Sequence, residues 1–230
     1  MSAADVWLVD LALSPNRLAR CAHVLDRPEQ DRAERFLRPA DRARFIASHA
    51  ALRLILAQAR GCAPSQIRLI ARPGGKPELI SPAGGGADFN LSHSGSRALV
   101  GLCDAAAIGV DIEGLRPIPD ALRIARAHFA ADEAGALAAL PPEMIGPAFF
   151  GLWTRKEAVV KALGTGLSAP LDRFSVTLPP TPPRLLRGGD PWTLASVEAG
   201  PLYAATVAVR AVGATIRHHT LPADWPDRLG

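Results

Sequence analysis

The sequence predicts an α+β fold of two similar halves, 1–114 and 115–230, with a ligand cleft between them. Three observations carry that expectation. A long helical run, "PADRARFIASHAALRLILAQARG" from Pro39, leads into extended segments up to about residue 112. A second, "FFGLWTRKEAVVKALG" from Phe149, leads into strand-like segments up to about residue 220. Between them "EGLRPIPD", with Pro117 and Pro119, reads as the joint. The two halves repeat an order of elements without detectable sequence identity.

Taken in order, residues 6–13 read as a strand. Ser14 then offers an N-cap, with Pro15 at the first helical position. The long helix from Pro39 ends at Gly61, which can adopt the left-handed cap conformation. "IRLIARPGGKPELI" gives two short extended segments about a Gly-Pro turn, and "PAGGGA" a flexible loop. "FNLSHSGSRALVGLC" gives a turn and a strand, and "IGVDIEG" another strand. In the second half "PDALRIARAHF" is helical. After the helix from Phe149, "RFSVTLP", "WTLASVEAG", "LYAATVAVRA" and "ATIRHHTLP" read as strands of antiparallel type, and "LPPTPPR" as an extended surface loop.

A chain of 230 residues with 48% hydrophobic and 21% charged residues has the composition of a soluble globular protein. No apolar run reaches the eighteen or so residues of a membrane span, and the first residues lack the basic region of a signal peptide. Cys21, Cys62 and Cys103 are isolated, which excludes a zinc ribbon or a disulfide framework and points to a reducing cytoplasmic compartment. The net charge of +4 favours acidic partners. Without a basic run or interleaved aromatics, it does not indicate nucleic acid.

The chemistry begins at Asp111 and Glu113. On a strand they point to one side, with Ile108, Val110 and Ile112 on the other. Two carboxylates that close repel unless a cation joins them, although a half-exposed strand with its polar face in water needs none. In the helix from Phe149, Trp153, Val160 and Leu163 continue an apolar stripe from Phe149 itself. Lys156 lies within that stripe and is expected to snorkel outward over Trp153. Glu157 and Lys161 run along its edge, spaced as an i,i+4 pair. Asp111, Glu113 and Glu157 together supply three hard oxygen ligands, suited to Mg²⁺ or Mn²⁺.

Arginine supplies nearly all the positive charge, and the only lysines are Lys76, Lys156 and Lys161. Such retained lysines mark places where a compact ammonium is needed. "PGGKP" projects Lys76 from a tight turn, and Ser92 and His93 offer polar donors in a turn before a strand. Metal, ammonium groups and small donors together point to a phosphate or pyrophosphate ligand. His218 and His219 are adjacent and face opposite ways on a strand, a poor metal pair. His23, His49 and His128 are lone histidines with structural or surface roles.

"GGKP" at 74–77, "FNLSHSG" at 89–95, "IGVDIE" at 108–113 and "WTRKEAVVKALGTGL" at 153–167 follow one another in this order. They resemble the 4′-phosphopantetheinyl transferase superfamily, in its surfactin-synthetase-activating (Sfp-type) branch. The resemblance implies a monomer of two α+β halves related by a pseudo-twofold axis, with coenzyme A in the cleft. It implies that Asp111, Glu113 and Glu157 hold Mg²⁺ against the CoA pyrophosphate and that Lys161 contacts that pyrophosphate. Lys76, Ser92 and His93 would hold the nucleotide end, with Arg32 and Arg44 as candidates from the N-terminal helical region. A serine hydroxyl of an acyl or peptidyl carrier protein would attack the phosphorus joined to pantetheine, with Glu157 as general base and 3′,5′-ADP leaving. Trp153 and Lys156 would pack and orient the Glu157 helix.

Two other readings share some of these residues. A metal-dependent phosphodiesterase could use the same carboxylates, but its D-x-[DE]-x-K pattern fails at Leu115. A non-catalytic CoA- or nucleotide-binding protein would need the same cleft without the transfer.

Overall fold

The computed structural model describes residues 2–72, 74–81, 86–166, 169–189 and 191–229. One order of elements runs through it twice. The first pass is β1 (Ala3–Asp10), α1 (Pro15–His23), α2 (Arg27–Glu34), α3 (Pro39–Arg60), a hairpin of β2 (Arg68–Ala71) and β3 (Pro77–Ser81), β4 (Asp88–Ser94) and β5 (Arg97–Cys103). The second is β6 (Ile108–Gly114), α4 (Ala121–His128), α5 (Ala131–Ala138), α6 (Pro142–Leu163), the short pair β7 (Ser175–Val176) and β8 (Leu185–Arg187), β9 (Thr193–Ser196) and β10 (Tyr203–Val209). A last strand, β11 (Thr215–Thr220), follows.

The correspondence extends to how the long helices start and stop. Both α3 and α6 have 22 residues and a proline in the first turn, and each ends on a left-handed glycine, Gly61 (φ 64°) and Gly164 (φ 70°). Glycine meets that conformation without the steric penalty of a Cβ. The helix before each supplies a carboxylate to a buried cation in its fifteenth residue. Glu29 of α2 meets Arg53 at 2.7 Å, and Glu133 of α5 meets Lys156 at 2.6 Å.

Strand pairing crosses the chain midpoint. One sheet has the order β11-β1-β5-β4 and the other β6-β10-β9. Segments 1–114 and 115–230 therefore each contribute to both sheets. Strand β11 is also parallel to β1, which departs from the antiparallel expectation for "ATIRHHTLP". A parallel partner is possible because the two strands come from opposite ends of the chain, with ample length between them to cross over.

Side chains of β4 join the sheets. The residues of β4 that share one face accept hydrogen bonds from the free backbone edge of β6. Asp88 takes that of Ile108 (2.7 Å), Asn90 that of Val110 (2.9 Å), Ser92 that of Ile112 (3.3 Å) and Ser94 that of Gly114 (3.0 Å). A buried strand edge left unpaired would forfeit these bonds. Apolar packing fills three regions: around α3 (Phe45, Leu52, Ile55, Phe89), around α6 (Phe149, Leu152, Val159) and between the sheets (Val6, Leu99, Val110, Val207).

Several boundaries differ from the sequence reading. The first strand stops at Asp10, whose carboxylate accepts from the Ala12 N–H at 2.8 Å and turns the chain. Residues 88–103 form a two-stranded hairpin, so Ser92 and His93 lie on a strand and not in a turn. Helices α2 and α5 are additional; each is eight residues long, too short to show an apolar period. Part of "PAGGGA", 82–85, lies outside the described residues.

Candidate active site

Gly109 sets the distance between β6 and α6. A Cβ there would stand 2.0 Å from the Ala158 carbonyl oxygen and 2.4 Å from the Ala162 nitrogen. The strand therefore lies directly against the helix, and the carboxylates on that face of β6 meet Glu157 and Lys161. Sequence periodicity placed α6 as an amphipathic stripe. It is buried on nearly every side from Ala148 to Ala162, because β6, β10, α4, α5 and β7 all pack on it.

The Lys161 ammonium lies 2.5 Å from Asp111 Oδ1 and donates to Ser92 Oγ at 2.9 Å. Ser92 in turn donates to Asp111 Oδ1 at 2.9 Å. Lys161 thus pairs across to the strand instead of with Glu157 along its own helix. Asp111 is buried, and its Oδ2 has no hydrogen-bond partner. Burial raises the Asp111 pKa; Lys161 and Ser92 oppose that and Glu113 adds to it. Glu157 is 8% exposed and makes no hydrogen bond or ion pair among the described residues. Its pKa is raised by burial and then by Asp111 and Glu113, against Lys161. Glu113 accepts from Ser94 Oγ at 3.2 Å and from Arg116 at 3.0 Å.

Lys161 thus pairs with Asp111 alone, Glu113 is paired with Arg116, and Glu157 has no cation of its own among the described residues. Among the described residues, however, no three His, Cys, Asp or Glu side chains are gathered into a metal cage. What fits a hard divalent cation is the donor set: an orphaned carboxylate oxygen on Asp111 and an unpaired Glu157, both oxygen ligands short of positive charge. Glu157 also stands between two cavities. One, of about 240 Å³, is lined by Gly74, Gly75, Asn90, Lys161 and Gly166; the other, of about 460 Å³, by Trp153, His128 and Leu171.

His93 faces away from Ser92, exposed, at the α3 side of the cleft. Desolvation and then the positive charges of His49, Lys161, Arg44 and Arg32 push its pKa below the ordinary imidazole value. Arg32 and Arg44 are thereby brought to the same rim as His93, Arg32 lying 5.2 Å over the Phe45 ring and Arg44 pairing with Asp41. His49 packs at 4.0 Å on that ring and meets Glu29 at 2.9 Å.

Two lysines depart from the sequence reading. Lys156 does not snorkel: it is fully buried, its ammonium 2.6 Å from Glu133 and 2.7 Å from the Phe174 carbonyl. That bond fastens α6 to α5 and to the start of β7. Lys76 was expected to reach the nucleotide end, but its ammonium turns inward to Asp88 and two backbone carbonyls. Asn90, Ser94 and Gly109 were not singled out from sequence. The polar residues at alternate positions 88, 90, 92 and 94 were the available signal for the first two.

The Asp111–Ser92–Lys161 cluster beside the unpaired Glu157, with Arg32 and Arg44 at the His93 rim, is an arrangement suited to a phosphate-bearing ligand. Comparison with known proteins agrees. A family model described as the 4′-phosphopantetheinyl transferase superfamily matches residues 107–211, and one described as 4′-phosphopantetheinyl transferase, N-terminal, matches 13–103. The chain is 36% identical over 209 residues to the 4′-phosphopantetheinyl transferase HetI of a Nostoc species, covering 90% of this chain and 88% of that one. It is 33% identical over 170 residues to the 4′-phosphopantetheinyl transferase Sfp of Bacillus subtilis, covering 74% of each. The chain belongs to the 4′-phosphopantetheinyl transferase superfamily.

Proposed function

We propose that this enzyme transfers the 4′-phosphopantetheine group of coenzyme A to a serine hydroxyl of an apo acyl or peptidyl carrier protein. The observation that carries the site is the Lys161–Asp111–Ser92 cluster beside the unpaired Glu157. In the reaction the serine oxygen forms a bond to the pantetheine-bearing phosphorus. The bond from that phosphorus to the bridging oxygen breaks, and 3′,5′-ADP leaves.

Asp111, Glu113 and Glu157 would hold a Mg²⁺ or Mn²⁺ ion, whose charge would neutralise the pyrophosphate. Lys161, bonded here to Asp111 and Ser92, would move onto a phosphoryl oxygen and stabilise the charge that develops there. Glu157, which no other side chain engages among the described residues, would take the serine proton directly or through water. Arg44 and Arg32 would form the cationic rim for the nucleotide phosphate, with His93 beside them as a neutral imidazole donor. The positive net charge suits an acidic carrier protein. Among the described residues no helix is long and apolar enough to cross a membrane. We place the enzyme in the cytoplasm, acting as a monomer.

The test uses CoA labelled on its pantetheine arm and a carrier protein with and without its target serine. Label should join the serine form and spare a Ser→Ala form. Cleavage of a nucleic-acid phosphodiester, or tight CoA binding without transfer to any carrier, would replace this reading by one of its rivals.

A further inference from the structure

Lys76 has the burial and bonding of a tie, not of a ligand. Its side chain is 6% exposed, and the Gly-Gly turn that precedes it presses against the C-terminal end of α6. A Cβ on Gly74 (φ 96°) would lie 2.2 Å from the Gly164 carbonyl oxygen, and one on Gly166 would lie 2.8 Å from the Gly74 oxygen. Only glycine permits so close a contact between these two turns.

From that turn the ammonium enters the protein and spends its three hydrogens there. It pairs with Asp88 and donates to the carbonyls of Ile108 (3.0 Å) and Ala162 (3.2 Å). The Ala162 carbonyl belongs to the last turn of α6, where helix carbonyls lack partners within the helix and a cation is favoured. The Ile108 carbonyl opens β6, and the Ile108 N–H donates to the same Asp88 oxygen at 2.7 Å. Lys76, Asp88 and Ile108 therefore close a ring, and Lys76 extends it to α6. Asp111 follows Ile108 by three residues, and Lys161 immediately precedes Ala162.

We propose that Lys76 is a positioning residue: it holds the start of β6 against the end of α6 and so sets Asp111 opposite Lys161, without itself contacting the phosphates of CoA. The consequence for turnover rests on the transfer reading above; the placement of Lys76 outside the ligand does not.

The experiment compares the full-length chain with Lys76→Met, Asp88→Asn and the double variant Lys76→Met/Asp88→Leu. It measures the CoA dissociation constant by calorimetry, the melting temperature, and kcat and KM with an apo carrier protein. Lys76→Met should lower kcat tenfold or more with the CoA dissociation constant within threefold of wild type. Asp88→Asn should give the same split. The double variant should regain melting temperature over Lys76→Met, because the unpaired carboxylate is gone, but keep the low kcat. A tenfold loss of CoA affinity in Lys76→Met with kcat unchanged would make Lys76 a phosphate ligand and overturn the proposal. So would a lowered melting temperature with unaltered kcat in the folded protein, which would leave only a structural role. A wild-type chain that transfers nothing would sink the transfer reading alone. The affinity of Lys76→Met would still decide whether the ammonium touches CoA.

Discussion

At the residue scale, the electrostatics of the cleft turn on which charges lack a partner. Asp111 has one oxygen bound by Lys161 and Ser92 and the other free, so truncation removes both the pair and the free ligand. Asp111→Ala should lower kcat/KM about 10²–10³-fold or more, the loss typical of one electrostatic stabiliser, with an unchanged circular dichroism spectrum. Retained activity would remove Asp111 from the site. His93 gives a pH prediction. Its folded pKa lies below its unfolded one, so protonation favours the unfolded chain. Its contribution is present above the ordinary imidazole pKa of 6.5 and is lost as pH falls through the depressed value. Binding 3′,5′-ADP should raise the His93 pKa in an NMR titration, since an anion offsets the surrounding cations; no movement would place the nucleotide phosphates elsewhere. Asp111, Glu157 and Lys161 stood out in the sequence because charge on an apolar strand or helix needs a reason, and Ser92 because it is a small polar donor within "FNLSHSG". The inward turn of Lys76 was not, since a lysine after a Gly-Gly turn looks the same in sequence whether it points out or in.

At the element scale, α6 depends on two contacts that sequence periodicity hides. Burial all round makes a helix read as weakly amphipathic, which is why Lys156 looked like a snorkelling residue when it is the buried partner of Glu133. Lys156→Met leaves Glu133 buried and uncompensated and should cost about 3–5 kcal/mol by denaturant unfolding. A loss below 1 kcal/mol would mean the pair contributes little. Gly109 is the other contact. Gly109→Ala pushes a methyl group into the backbone of α6 and should cost about 1–3 kcal/mol, with lower kcat because Glu157 and Lys161 move away from Asp111. The helix caps at Ser14 and Gly61 were readable because capping is local chemistry. The β4 ladder was not, because its partners on β6 lie twenty residues further along the chain.

At the scale of the whole molecule, the repeat of elements was visible, but the exchange of strands was not. Element order is written along the chain, whereas β6 joining β10 and β11 joining β1 are long-range pairings with no local signature. Because each chain segment completes the other's sheet, the halves should unfold together. Calorimetry should give one transition with equal calorimetric and van't Hoff enthalpies, and two separated transitions would show independent halves. The central claim, that the cleft between those halves moves phosphopantetheine with a divalent cation, is tested most directly by the intact mass of an apo carrier protein. It is incubated with this protein, CoA and Mg²⁺, with a parallel sample in EDTA. The account predicts a gain of one phosphopantetheine that EDTA prevents; no gain with any acyl or peptidyl carrier, from a folded enzyme that binds CoA, would contradict it.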